Sequence, residues 1–203
     1  REILAYTLDV FNNSSLIDEI VIAAGETFFP LIEEIIKNCN IKKEVRIVKG
    51  GKERQDSVFN ALSSLSCNPD DLIVVHDAVR PLIPQNILEE AVNSAKIFDN
   101  VVVGIRAKDT LISFDSIENL CVESYVNREK VFYAQTPQIF PFALLFESMK
   151  SAKKEGFLGT DESMLVKRAG ANVKIVEGSP FNFKITTEED LAIFDSIVRF
   201  SKS

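Results

Sequence analysis

LIVVHDAVRP, residues 72–81, opens with four consecutive apolar residues and closes with an acid, a base and a proline. A strand with one wet face would alternate polar and apolar positions. An unbroken apolar run instead suits a strand covered on both faces, as in a parallel sheet flanked by helices. The neighbouring segments repeat the theme. Downstream, Asn86 to Phe98 has helical spacing of its apolar residues, and Val101 to Ile105 is a second continuous apolar run. Upstream, Ser57 to Leu65 reads as a helix, Val45 to Val48 as a strand, Pro30 to Asn38 as an amphipathic helix and Glu19 to Ala24 as a β-branched strand. Ile3, Leu4, Thr7, Leu8 and Phe11 fall on one face of a helix. This alternation predicts an α/β fold with a doubly wound, mostly parallel sheet and flanking helices. Such sheets hold ligands at the carboxyl ends of their strands, which directs attention to residues 76–81.

The pattern changes after Gly104. Thr110 to Phe114 and Cys121 to Val126 read as two strands around a polar turn at residues 115–119, a hairpin leaving the main sheet. It is either a peripheral edge hairpin or an arm used for dimerisation or substrate contact. A helix from Phe142 to about Glu155, another from Asp161, a strand at Val173 to Val176 and a last helix follow. Thr187 and Asp190 have the spacing of a capping box at that helix's start. No repeat or linker interrupts the chain, so one domain is expected.

At 203 residues with 46% hydrophobic side chains, the chain can bury one substantial core. Thirty acidic against 23 basic residues argue against a nucleic-acid binder, which needs a basic face, so any bound phosphate must meet locally placed cations. Cys39, Cys67 and Cys121 lack metal-ligand spacing and are odd in number, which favours small apolar roles in a reducing compartment. No apolar run approaches the ~18 residues of a membrane span and no secretory leader is visible, so a cytoplasmic location is expected. Arg1 leads directly into a helical pattern, and the sequence is expected to begin inside a domain.

Two segments carry the chemistry. GGKERQDS at 50–57 follows a strand and opens a helix, where backbone N–H groups could receive a phosphate, ribose or base edge; glycines there equally serve backbone geometry. The spacing is neither that of a P-loop nor that of the dinucleotide fingerprint. VHDAVRP at 75–81 places Asp77 where it could take a ribose hydroxyl or help hold a metal-bound nucleotide, and Arg80 where it could pair with phosphate; a simple Asp77–Arg80 surface ion pair is the other reading. His76, the only histidine, is as readily a packed polar residue as a base. No nucleophile set is present. Arg54, Arg80, Arg128 and Lys184 are scattered at loop or strand ends, as expected where catalysis means steadying phosphoryl charge.

Taken in order, GGKERQDSV at 50–58, VHDAVRP at 75–81, KDT at 108–110, NR at 127–128, AQTPQIF at 134–140, TDE at 160–162 and NFKITTEEDL at 182–191 resemble the 2-C-methyl-D-erythritol 4-phosphate cytidylyltransferases over essentially the whole chain. The resemblance implies a Rossmann-like sheet with a projecting β-arm over roughly residues 107–130, a homodimer, and magnesium-dependent transfer of a cytidylyl group from CTP to a sugar-alcohol phosphate. It further implies that Gly51 and Ser57 contact the cytidine with Ala78 near the ribose, and that Asp77 and Arg80 lie at the junction of nucleotide and acceptor. Thr110 and Arg128 would contact the acceptor from the arm, Thr136 and Thr160 would line its site, and Lys184 would act in catalysis. The family begins with a strand and a glycine-rich loop whose arginine, with a nearby lysine, holds the triphosphate. That segment is expected to lie upstream of Arg1, leaving the 203-residue chain by itself inactive or severely impaired. Asn127 stands where an aspartate is common and Phe183 where isoleucine is usual, both modest departures. Ribitol 5-phosphate cytidylyltransferases share the fold and several of these motifs, although the TDE and NR segments fit the methylerythritol enzymes better. A non-catalytic dimeric module is a third reading, weakened by the presence together of Asp77, Arg80, Arg128 and Lys184.

Overall fold

The computed structural model describes residues 1–200. Seven helices and eight strands are formed among them: α1 (Ile3–Asn13), β1 (Glu19–Ala24), α2 (Phe29–Asn38), β2 (Glu44–Lys49), α3 (Arg54–Ser63), β3 (Leu72–Val75), α4 (Gln85–Phe98), β4 (Val101–Arg106), β5 (Leu111–Phe114), β6 (Val122–Val126), β7 (Phe132–Pro141), α5 (Phe142–Glu155), α6 (Glu162–Arg168), β8 (Lys174–Glu177) and α7 (Glu188–Phe200). Local chemistry sets several boundaries. Glu53 caps α3 and Asp56 returns the hydrogen bond, so this helix begins three residues before the apolar periodicity becomes visible. Gly156, with φ +64°, supplies the left-handed residue that ends α5. Thr187 and Asp190 exchange hydrogen bonds of 3.2 and 3.0 Å, forming the expected box at α7.

The central sheet has the order β3-β7-β4-β8. Strands β3, β4 and β8 share one direction, and β7 runs against both of its neighbours. Both faces are covered. Leu72 and Val74 pack with Leu88, Val92, Val103 and Ile139 beneath α4, whereas Ile73 and Val75 pack with Leu62, Phe140, Leu145 and Met149 beneath α3 and α5. Consecutive residues thus enter opposite cores, the period-2 geometry that an unbroken apolar run requires.

Strands β1 and β2 pair in parallel, apart from the central sheet. Among the described residues each of β1 and β3 is hydrogen-bonded to a strand along one edge only, and residues of both line a cleft of about 1200 Å3. Strands β5 and β6 form the expected hairpin as a separate two-stranded sheet.

Candidate active site

Three cations converge on one carboxylate at the carboxyl end of β3. Arg54 Nε lies 3.0 Å from Asp77 Oδ1, while Arg80 Nε and Lys184 Nζ each lie 3.3 Å from Oδ2. The sequence brings them together by three routes. Arg54 is the first residue of α3, delivered by the glycine loop. Arg80 sits in a turn closed by its own N–H donating to the Asp77 carbonyl (3.0 Å). Lys184 arrives because the Ile185 N–H donates to the Val79 carbonyl (2.9 Å) and the Arg80 guanidinium donates to the Asn182 carbonyl (2.7 Å). The Asp77–Arg80 pair therefore exists, but its side chains are only 11% and 12% exposed and belong to a larger network.

Burial by itself would raise the Asp77 carboxyl, yet Arg54, Lys184 and Arg80 outweigh it and hold the group below the ordinary carboxylate range. Arg54 reaches onward to Glu162, whose side chain is 1% exposed; Nη1 and Oε1 are 2.7 Å apart. Three cations against two carboxylates leave the cluster one positive charge in excess, and Lys184, 40% exposed, presents it to the solvent side. An anionic substrate would meet a prearranged positive site.

Thr136 fixes the other side of Asp77. The Arg80 carbonyl can only accept, so His76 Nε2–H donates to it (3.1 Å), and Nδ1 of the neutral ring accepts from the Thr136 hydroxyl (3.1 Å), which itself accepts from the Asp77 N–H (3.1 Å). This chain of donors assigns a neutral imidazole with its proton on Nε2. Desolvation pushes the His76 pKa down to about 4, so the residue is a structural brace rather than a base near neutral pH. Because the unfolded chain binds that proton below about pH 6.5 and the native protein does not until about pH 4, stability rises with pH through the window. The slope is worth on the order of 3 kcal/mol. His76→Gln, whose amide can accept and donate in the same places, is expected to abolish that part of the slope in urea titrations at pH 4.5 and 7; an unchanged slope would remove His76 as its origin.

The remaining expected residues divide into two groups. Ser57 and Ala78 line the cleft beside Arg54 and Asp77. Gly51 donates its N–H to Ser57 Oγ (3.0 Å), and a Cβ at Gly51 would meet the Asp56 Cβ at 2.1 Å, so close backbone approach demands glycine there. Thr110, Arg128 and Thr160 form no hydrogen bond or ion pair with the Asp77 cluster. Arg128 donates to the Lys108 carbonyl (2.6 Å) at the base of the hairpin, and the Thr160 hydroxyl faces Met164 Sδ at 3.8 Å. Glu162, Gln138 and Asn182 carry roles that residue type did not reveal, because each is buried through contacts distant in sequence. Gln138 donates to Asp161 Oδ2 (2.9 Å) and accepts from the Ser163 N–H (2.8 Å), while Asn182 donates to the Thr136 carbonyl (2.7 Å).

A positive cluster at a strand's carboxyl end, beside a glycine loop on this sheet, is the layout of the Rossmann-like nucleotidyltransferases, and solved structures agree. The 4-diphosphocytidyl-2C-methyl-D-erythritol synthase of Anaerococcus prevotii DSM 20548 superposes with a TM-score of 0.89 at 28% identity, covering 98% of this chain and 86% of that one. The 2-C-methyl-D-erythritol 4-phosphate cytidylyltransferase of Thermus thermophilus superposes with a TM-score of 0.82 at 29% identity, covering 98% and 89%. The chain belongs to the 2-C-methyl-D-erythritol 4-phosphate cytidylyltransferase family, whose model matches residues 1–200. Relatives of that name include those of Clostridioides difficile strain 630, 39% identical over 205 residues covering 100% of this chain and 84% of the relative, and Bacillus cereus strain ATCC 14579, 37% identical over 200 residues covering 98% and 86%.

Proposed function

We propose that this chain transfers the cytidylyl group of CTP to 2-C-methyl-D-erythritol 4-phosphate, giving 4-diphosphocytidyl-2-C-methyl-D-erythritol and pyrophosphate in non-mevalonate isoprenoid synthesis. The observation that supports this most is the convergence of Arg54, Arg80 and Lys184 on Asp77 in a chain that belongs to that family throughout. An acceptor phosphate oxygen attacks the α-phosphorus, the bond to the bridging β-phosphate oxygen breaks, and pyrophosphate leaves. Two anions must approach, so the required help is positive charge held in place rather than a nucleophilic side chain. Lys184, the most exposed of the three cations, is the group that transfers from Asp77 to the incoming phosphate. Arg80 and Asp77 position the acceptor's phosphate against the nucleotide. Gly51, Ser57 and Ala78 hold the cytidine and ribose, Thr110, Arg128 and Thr160 contact the acceptor, and Thr136 lines that site from beneath, acting through Asp77.

Magnesium enters with CTP as part of the nucleotide substrate, held by triphosphate oxygens. Among the described residues no three His, Cys, Asp or Glu side chains converge, and Asp77 and Glu162 are already taken by guanidinium and ammonium groups. That donor set does not fit a resident metal cage. The triphosphate itself calls for further cations. We infer that an extended segment lies between β1 and β3, satisfying the one free edge of each, and that the loop after it carries those cations. The cleft between the two strands supports this, because two edge strands facing one cleft are suited to pairing with a strand between them. The whole then acts as one nucleotidyltransferase domain.

The hairpin supports a homodimer. Ile112 pairs with Tyr125 and Phe114 with Val122, which puts four apolar side chains on one face, each more than half exposed. A two-stranded hairpin has little stability of its own, and a second copy of the chain offers the matching apolar surface. No helix among the described residues is long and apolar enough to cross a membrane, and Cys39, Cys67 and Cys121 are free thiols, in keeping with a cytoplasmic site of action.

The deciding experiment is a pyrophosphate-release assay of the full-length protein, the triphosphate-binding loop included, with CTP, magnesium and either 2-C-methyl-D-erythritol 4-phosphate or ribitol 5-phosphate. Preference for the methylerythritol substrate by at least about 100-fold in kcat/KM is expected. Preference for ribitol 5-phosphate would reverse the assignment, and turnover of neither would return the chain to the class of binding modules.

A further inference from the structure

We infer that Glu162 is a positioning residue which, acting through Arg54, fixes the Asp77 carboxylate so that Oδ2 stays free to order Arg80 and Lys184. This rests on the proposed role of Lys184. Glu162 touches none of the groups assigned to substrate; its Oε1 accepts from Arg54 Nη1 at 2.7 Å, and its Oε2 is buried without a hydrogen-bond partner. Such a carboxylate is costly to a fold. Burial pushes its pKa up against the pull of Arg54, and an unpartnered buried oxygen forfeits hydration. A neutral glutamine would fill the same space with less desolvation, so what glutamate adds is the negative charge facing Arg54.

That charge decides how Arg54 divides its donors. The guanidinium is a planar fork able to clasp one carboxylate with two parallel hydrogen bonds. Here it does not. Nε takes Asp77 Oδ1 at 3.0 Å and Nη1 is held on Glu162, while Nη2, the donor that could fork with Nε, makes no hydrogen bond to Asp77; Arg80 and Lys184 share Oδ2, each at 3.3 Å. The hold on Nη1 fixes the plane of the guanidinium; without Glu162 it can turn until Nε and Nη2 clasp both oxygens of Asp77 and compete with Lys184 for its holding position. Glu162 is itself held in place from the sheet: buried Gln138 on β7 binds both the Asp161 side chain and the Ser163 N–H, on either side of it. A rigid line thus runs from the sheet through Gln138, Glu162 and Arg54 to Asp77.

The experiment is a double-mutant cycle in the complete enzyme. Glu162→Gln is expected to lower kcat/KM for the acceptor about tenfold, chiefly through kcat, with KM for CTP changed less than about twofold. In a Lys184→Ala background the same change is expected to cost less than about twofold, because Lys184 is the group displaced by a closed fork, whereas Arg80 is also held by the Asn182 carbonyl. Equal losses in both backgrounds, or parallel losses for CTP and acceptor, would reduce Glu162 to a structural residue, and unchanged acceptor kinetics would overturn the inference outright. If Lys184→Ala alone leaves acceptor kinetics intact, the functional reading fails first, a result distinguishable from failure of Glu162→Gln only. Should Glu162→Gln not fold, Arg54→Lys, which keeps a cation but cannot span both carboxylates, is judged by the same criteria.

Discussion

Lys184→Ala is expected to lower kcat/KM for the acceptor about 100-fold while CTP affinity stays within about threefold. The size follows from the geometry. Lys184 is the most exposed cation of the cluster and the one on a flexible stem, whereas Arg54 is tied to two carboxylates and Arg80 also donates to the Asn182 carbonyl. Removing it leaves Asp77 with two guanidinium partners, so the fold is retained and the deficit is one of transition-state charge. Separate titration of CTP by calorimetry and of acceptor by pyrophosphate release makes the distinction. A loss shared equally between the two substrates would mean that Lys184 serves the triphosphate, and wild-type kinetics would remove it from the site.

Introducing charge on the hairpin should have the second large effect. Ile112→Asp together with Tyr125→Asp is expected to shift the enzyme from dimer to monomer in sedimentation and to reduce acceptor kcat/KM at least about tenfold. The two positions are cross-strand partners on the exposed apolar face, 54% and 74% exposed, so within one subunit the change removes little buried contact. Two carboxylates opposed across a dimer contact would repel. The kinetic part of the expectation rests on Arg128, which donates to the Lys108 carbonyl at the hairpin's base and forms no ion pair or hydrogen bond with its own subunit's Asp77 cluster. Arg128→Ala should reproduce the acceptor defect in a protein that remains dimeric. A monomer with full activity would separate the arm from catalysis.

Most of the fold was legible because apolar runs such as Leu72–Val75 and Val101–Ile105 leave few alternatives to strands buried on both faces. The strand that escaped notice, β7, shows the limit. Gln135, Thr136, Pro137 and Gln138 interrupt its apolar character, and their polar groups are satisfied only by partners far along the chain, among them Ser179, His76 and Asp161. Its reversed direction also could not be inferred from a rhythm of strand and helix. At the site, Asp77, Arg80 and Lys184 were legible as charged residues at element ends. Glu162 was not, since an acid in the first turn of a helix ordinarily reads as a solvated capping aid. Only the packing of α6 against α5, with its first turn held by Gln138, turns it inward to Arg54.

The wide spacing of the cluster's members along the chain has a consequence for biogenesis. Arg54 and Glu162 are 108 residues apart, and Arg80 and Asn182 are 102 apart, so no local segment can assemble the site. During synthesis Arg54, Asp77 and Arg80 leave the ribosome well before Glu162 and Lys184, and two guanidinium groups must await their final arrangement around one carboxylate. A nascent chain released before residue 184 can have built much of its sheet, yet it holds an unfinished charge arrangement. Catalytic competence is therefore among the last properties the chain acquires.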